Sequence, residues 1–156
     1  MIPTVVEGDL LDQDVEVLVN AWNRNIVPWW LLWPQGVSGA IKRRAGYVPF
    51  REVARHGPIP LGGAVETSAG RLPHRAIIHV AGINAFWVAT QTSIRRSVVS
   101  AMGIVQDKSY RSVAFPLIGA GTGGGKDERV LAWMQEEFDR IDFAGDARIV
   151  RFRARS

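Results

Sequence analysis

Three pieces of one stretch decide how the rest of the chain is read: V-V-E-G-D-L-L at residues 5–11, V-E-V-L-V-N-A-W-N at 15–23 and Q-G-V-S-G-A-I-K-R-R-A-G at 35–46. Val15 to Val19 is a short β-branched run, too short for a helix, and reads as a buried strand. It delivers Asn20 and Asn23 to a strand end, where open α/β sheets bind ligands. Gly36-Val37-Ser38-Gly39 then reads as a glycine loop opening a short helix, Ser38 to Ala45, which Gly46 ends. A glycine loop feeding a helix N-terminus offers unpaired N–H groups to an anion. Upstream, Val5-Val6 reads as an edge strand leading into Gly8-Asp9.

Working outward, residues 22–34 hold four of the six Trp together with Pro28 and Pro34, a passage too broken for a helix. Val48 to Gly57 is a short polar segment with helical character. Ala64 to Ala69 and Arg75 to Val80 read as two strands joined around Gly70 and Pro73, the second apolar enough for the sheet interior. Ser93 to Lys108 is the clearest helix, with Ile94, Val98, Met102 and Val105 at helical spacing. Ser112 to Ile118 is another buried strand and Gly119 to Gly125 a glycine loop. Lys126 to Ile141 is an amphipathic helix striped by Val130, Leu131, Met134 and Phe138, and Ala147 to Phe152 is a last strand. Strands alternating with helices predict an α/β fold, a three-layer α/β/α sandwich over a mixed, mostly parallel sheet. At 156 residues this is expected to be a single domain, 1–156.

Composition removes several function classes. There is no cysteine, so disulfides, thiolate metal sites and a Cys nucleophile are excluded. No apolar run reaches the roughly 18 residues a membrane helix needs. No charged region precedes an apolar segment at the N-terminus, so a cytoplasmic protein with no membrane partner is expected. The net charge of +4 and pI near 10.1 come from 16 Arg and three Lys that are scattered, so a solvated basic surface is favoured over a nucleic-acid arm. The loop 119–125 has no G-K-[ST] at Walker spacing and no early βαβ context, so it is neither a Walker loop nor a Rossmann fingerprint. Its glycines permit positive φ and let backbone N–H groups converge on a phosphate. Two such loops, each between strand and helix, suit a diphosphate. His79, alone in an apolar strand, reads as a satisfied core residue. His56 and His74 form no metal-ligand spacing with it, and neither metal nor cofactor is expected.

These pieces resemble the macrodomain pattern. G-D-L-L, V-L-V-N-A-W-N and G-V-S-G-A-I are similar to the family's G-D-I-T, I-V-N-A-A-N and G-G-G-V-x-G-A-I. Gly62 to Gly70 resembles its x-G-x-A-x-x-T-x-G hairpin, I-I-H-V-A-G at 77–82 its I-I-H-x-V-G-P, and A-F-P-L-I-G-A-G-T-G-G at 114–124 its second phosphate loop. These six motifs stand in the family's order. The resemblance implies ADP-ribose as ligand and ADP-ribosylated proteins as partners. ADP-ribosylated nucleic-acid ends stay open, while nucleic acid as such ranks last. The implied ligand-binding residues are Asp9, Leu10, Asn20, Gly36, Val37, Ser38, Gly119, Ala120, Gly121, Thr122, Gly123 and Gly124. Asp9 would accept from the adenine amino group; on residue chemistry alone it is a turn or capping residue. Asn23 would face the distal ribose and is the catalytic candidate. For Asn20, residue chemistry favours a buried anchor of local backbone.

The chain also departs from the pattern. The loop between Asn23 and Val37 is long, lacks the glycine triplet and carries Trp29, Trp30 and Trp33, which suit a lid, a base-stacking platform, a partner surface or a seal on the core edge. Ser38 stands where active hydrolases of the family often carry Asp; it is no general base at neutral pH and could cap the helix. Gly123 stands where many members have an aromatic. Two functions follow from the resemblance. One is hydrolysis of ADP-ribosyl conjugates, with the ligand's own diphosphate assisting an attacking water. The other is a reader that binds ADP-ribose without chemistry. Asn23 favours the first, Ser38 and Gly123 the second, and the enzyme is preferred by fold-level analogy.

Overall fold

The strand and helix signals assemble around one six-stranded sheet in the order β1-β6-β5-β2-β4-β3. A computed structural model describes residues 1–23, 36–83, 89–119 and 126–153, with backbone alone at 22, 23, 36, 37, 83 and 126. The strands are β1 (Thr4–Gly8), β2 (Val17–Asn23), β3 (Ala64–Thr67), β4 (Ala76–Ile83), β5 (Ser112–Pro116) and β6 (Asp146–Phe152). The helices are α1 (Gly36–Ala45), α2 (Val48–His56), α3 (Gln91–Asp107) and α4 (Lys126–Phe138). All pairings are parallel except β3 against β4, so the sheet is mixed and mostly parallel, as expected. Val5-Val6 lies on an edge strand, and Arg75 to Val80 falls largely in β4, flanked on both sides.

Strand residues of alternate parity feed two separate cores. Val17, Val19, Ile78, Val80, Val113, Phe115 and Ile149 face α3 and α4 and meet Ile94, Val98, Met102, Met134 and Phe138. Leu18, Ile77, Ala81, Ala114 and Val150 face α1 and α2 and meet Ile41, Phe50 and Val53. These two cores make the α/β/α sandwich. Thr90 begins α3 with a reciprocal cap, its Oγ1 accepting from Ser93 N at 3.0 Å while Ser93 Oγ accepts from Thr90 N at 2.9 Å. Such a cap is worth about 1 kcal/mol. Arg95 of α3 pairs with Glu136 and with Glu137 (3.3 Å) of α4, joining the two helices.

Several boundaries differ from the sequence reading. β2 begins at Val17, because Val15 and Glu16 still belong to a turn in which Val15 N donates to Gln13 O at 3.1 Å. It continues through Asn20 to Asn23, pairing as far as Asn23 with Ile83 across an irregularity after Ala21. Asn20 is therefore inside the strand and not at its end. α1 begins at Gly36, two residues early, so Ser38 sits within its first turn and is not its cap. Packing of Ile41 and Ala45 into the core outweighs the poor helix propensity of Gly36 and Gly39. α3 begins at Gln91, where the Thr90 cap sets the start. β5 closes at Pro116, which has no N–H to continue a ladder. α4 stops at Phe138, three residues short of Ile141. A single 3₁₀ turn at Leu10–Asp12 was not visible in the sequence pattern. Trp29, Trp30 and Trp33 lie outside the described residues. No helix among the described residues is long and apolar enough to cross a membrane.

Candidate functional site

The five parallel strands all end on one edge of the sheet, at Gly8, Asn23, Ile83, Pro116 and Phe152. From β2 the chain moves through α1, α2 and β3 to β4 on one flank, and later places β5 on the other. The carboxyl end of β2 is thus the topological switch point, where open α/β sheets bind ligands. Three described segments converge there. The 3₁₀ turn follows β1 and packs against both α1 and β5. α1 opens at the same edge, and its first N–H groups at Gly36 to Gly39 have no partner within the helix. Leu117 to Gly119 turns away from β5, with Gly119 at φ +75° and a Cβ at that position only 2.3 Å from the Ala89 methyl. Glycine is required there by conformation and by space.

The sequence-derived site residues divide by position. Asp9, part-exposed, caps the 3₁₀ turn through Oδ1, which accepts from Leu11 N at 2.9 Å. Leu10 is buried at 4% exposure and packs in the α1–α2 core. Asn23 ends β2, and Gly36 and Val37 open α1; their backbones lie at the switch point. Ala120, Gly121, Thr122, Gly123 and Gly124 lie outside the described residues.

Asn20 is fully buried, on the α1–α2 face of the sheet. Its Oδ1 accepts from Ser38 Oγ at 2.9 Å, and its Nδ2 lies 3.1 Å from His79 Nδ1 in the register-paired position on β4. The other His79 nitrogen, Nε2, lies 2.8 Å from Thr67 Oγ1 on β3. Phe50 packs edge-on at 5.9 Å between ring centroids. Burial, and secondarily the charge of His56, push the His79 pKa down to about 3, so the ring is neutral at physiological pH. His79 is thus a satisfied core residue. Lys42, one turn along α1 from Ser38, is buried with its Nζ 5.0 Å over the Phe50 ring, and burial lowers its pKa. Sequence reasoning missed Lys42 and Thr67; the adjacency of Thr67 to His79 needs the antiparallel β3–β4 register, which no local spacing announces.

A family model described as the macro domain matches residues 19–134. The chain belongs to the macro domain family. A macro domain-containing protein of Listeria monocytogenes is 36% identical, covering 87% of this chain and 82% of its own. A protein of Escherichia coli named O-acetyl-ADP-ribose deacetylase is 34% identical, covering 77% of this chain and 68% of its own. The solved structure of the Oceanobacillus iheyensis macrodomain with ADP aligns at a TM-score of 0.78 and 26% identity, over 96% of this chain and 82% of that one.

Two surface grooves of this macro domain lie at the opposite, amino edge of the sheet. One of about 470 Å³ is lined by Tyr110, Arg111, Phe143 and Gly145 among others, and one of about 550 Å³ by Gly46, Tyr47, Arg51 and Arg71 among others. Neither touches Asp9, Ser38 or Gly119. Among the described residues no group of His, Asp and Glu could hold a metal ion. The basic residues near the end of the chain are largely spent in ion pairs, Arg148 with Asp146 (2.8 Å), Arg151 with Glu128 (2.5 Å) and Arg153 with Glu7 (2.8 Å).

Proposed function

We propose that this macro domain binds ADP-ribose across the carboxyl edge of its sheet and hydrolyses ADP-ribose from modified proteins. The observation that carries the reading is the convergence of Asp9, the open first turn of α1 and the Gly119 turn at the β2–β5 switch point. Helix N–H groups suit one phosphate and a glycine turn another. The names of the E. coli deacetylase and of the Oceanobacillus complex agree with such a ligand.

In this reading Asp9 and Leu10 hold the adenine end. Gly36, Val37 and Ser38 border one phosphate, and Gly119 through Gly124 border the other. Asn20, with its amide turned inward, contributes by anchoring Ser38. Asn23 positions the distal ribose. Water attacks the anomeric carbon, the bond to the modified side chain breaks, and the water's proton leaves with the departing group or solvent. Oxocarbenium-like charge is stabilised by the ligand's own diphosphate, so no carboxylate at position 38 is required. Positioning is the main contribution, since a displacement of about 1 Å costs on the order of 100-fold in rate.

The second reading, a binding module without chemistry, is favoured by one specific residue. Ser38 stands where a carboxylate would otherwise orient water, and its hydroxyl proton is already given to Asn20. Incubation with an ADP-ribosylated protein, followed by chromatography of free ADP-ribose, separates the two. Release above the uncatalysed rate is expected. Tight ADP-ribose binding with no release would leave the binding module.

A further inference from the structure

The buried polar groups beneath α1 form a directional chain, and its direction follows from its far end. Thr67 Oγ1 lies 3.0 Å from the Ser68 carbonyl oxygen, to which a hydroxyl can only donate. With that proton spent, the Thr67 oxygen accepts from His79 Nε2 at 2.8 Å, so Nε2 carries the hydrogen. A neutral imidazole has one N–H, which leaves Nδ1 a bare acceptor. Asn20 Nδ2 is the donor it meets at 3.1 Å. The Asn20 amide is oriented by this contact, and its Oδ1 is turned to Ser38 Oγ at 2.9 Å. Ser38 has one proton and gives it to Asn20. The opposite sense would need Nδ1–H on His79 and a second proton on Thr67, which it does not have.

We infer that Thr67 and His79 are positioning residues that act through Asn20 to hold the Ser38 oxygen as a hydrogen-bond acceptor toward the cleft, there to receive a ligand hydroxyl or the attacking water. The inference rests on the reading of that edge as the ADP-ribose site. Three links are buried, Asn20 and His79 at 0% and Thr67 at 4%, and the chain ends on the part-exposed Ser38. The other buried hydroxyls among the described residues, Ser93 and Ser97 of α3, donate to backbone carbonyls and lead nowhere. The far end is itself held, since Glu52 of α2 accepts from Ser68 N at 2.8 Å and from Ser68 Oγ at 2.7 Å. Ser38 thereby offers a donor on the ligand what a carboxylate would offer, an oxygen with free lone pairs. It orients that donor and takes no proton from it.

The test has a spectroscopic arm and a kinetic arm. Long-range ¹H–¹⁵N spectra of the wild type are expected to show His79 only as the Nε2–H tautomer, unchanged between about pH 5 and 8. Thr67→Val removes the acceptor that anchors the direction, and the tautomer should become mixed; Thr67→Ser, which restores the hydroxyl, should return it. In release of ADP-ribose from modified protein, Thr67→Val should lower kcat by roughly 3- to 10-fold with KM within about 2-fold. Ser38→Ala should lose a similar factor, and the double variant should be no slower than Ser38→Ala, because both act on one oxygen. An Nδ1–H tautomer in the wild type, or losses that multiply in the double variant, would overturn the inference. If the wild type releases no ADP-ribose, the hydrolase reading fails, and the same cycle read in ADP-ribose affinity decides the relay. If ADP-ribose does not bind, the tautomer decides it alone.

Discussion

Asp9 has two carboxylate oxygens, and the fold uses one. Oδ1 caps the 3₁₀ turn through Leu11 N, which leaves Oδ2 for a ligand donor. The capping role and the adenine role, rivals on sequence grounds, are compatible in three dimensions. Asp9→Ala is expected to weaken ADP-ribose binding by roughly 1–3 kcal/mol, the cost of leaving a polar partner unmatched, and to lose about 1 kcal/mol of stability with the cap. Asp9→Asn keeps a capping oxygen, so it should recover the stability without the full affinity. Calorimetry and thermal melts of the pair check this, and an unchanged affinity in Asp9→Ala would return Asp9 to the turn alone. Asn23→Ala should lower turnover on the order of 100-fold with a small change in affinity, since its task is to place the ribose against water. Ser38→Ala should cost far less. A reversed order, with Ser38 the more damaging loss, would relocate the catalytic side of the cleft. The positions of these residues, Asp9 after β1, Asn23 at the end of β2 and Ser38 in the first turn of α1, follow the order of the motif. Asn20 was legible as a buried anchor, but not its partners, Ser38 and His79 in place of local backbone: a strand-borne Asn looks the same in sequence whether its amide meets loop backbone or a histidine in the neighbouring strand.

Elements whose identity is set by their own periodicity were read correctly. The stripe Ile94, Val98, Met102 and Val105 placed α3, and the runs Val113 to Phe115 and Ile77 to Val80 placed two interior strands. Elements set by tertiary contact were misjudged at their ends. β2 outlasts its apolar run because β4 continues beside it, and α1 starts in glycine because its later residues are held in the core. Gly82 shows the same limit. It reads as part of an I-I-H-x-V-G-like motif, yet its requirement is steric, since a Cβ there would stand 2.4 Å from Ile118 Cγ2. Ile118 directly precedes Gly119, so this close approach lies beside the turn that leaves β5. Gly121→Glu tests the loop's role. A carboxylate placed in the anion site repels the diphosphate, so ADP-ribose binding should be lost while the melting temperature stays close to wild type. Normal binding by a folded variant would remove the loop from phosphate recognition.

At the scale of the whole molecule, one sheet separates two cores, and the polar chain through His79 lies inside one of them. A neutral imidazole held at a pKa of about 3 makes the fold sensitive to acid. Unfolded, a histidine titrates near 6.5. Between these values the unfolded chain binds a proton that the folded state refuses, so stability must fall as pH falls through that window. The slope is half-developed at about pH 6.5 and fades by about pH 7.5. Below about pH 6 the slope approaches 1.4 kcal/mol per pH unit, which is one proton's worth. Most carboxylates titrate lower, near 4, so the range from about pH 6 to 5 isolates the histidine contribution. Urea denaturation at half-unit steps from pH 7.5 to 4.5 should therefore show a plateau and then a decline starting above the carboxylate range. A stability curve flat down to about pH 4.5 would mean that the folded protein accepts the proton. In that case His79 Nδ1 would carry hydrogen, and Asn20 could no longer donate to it.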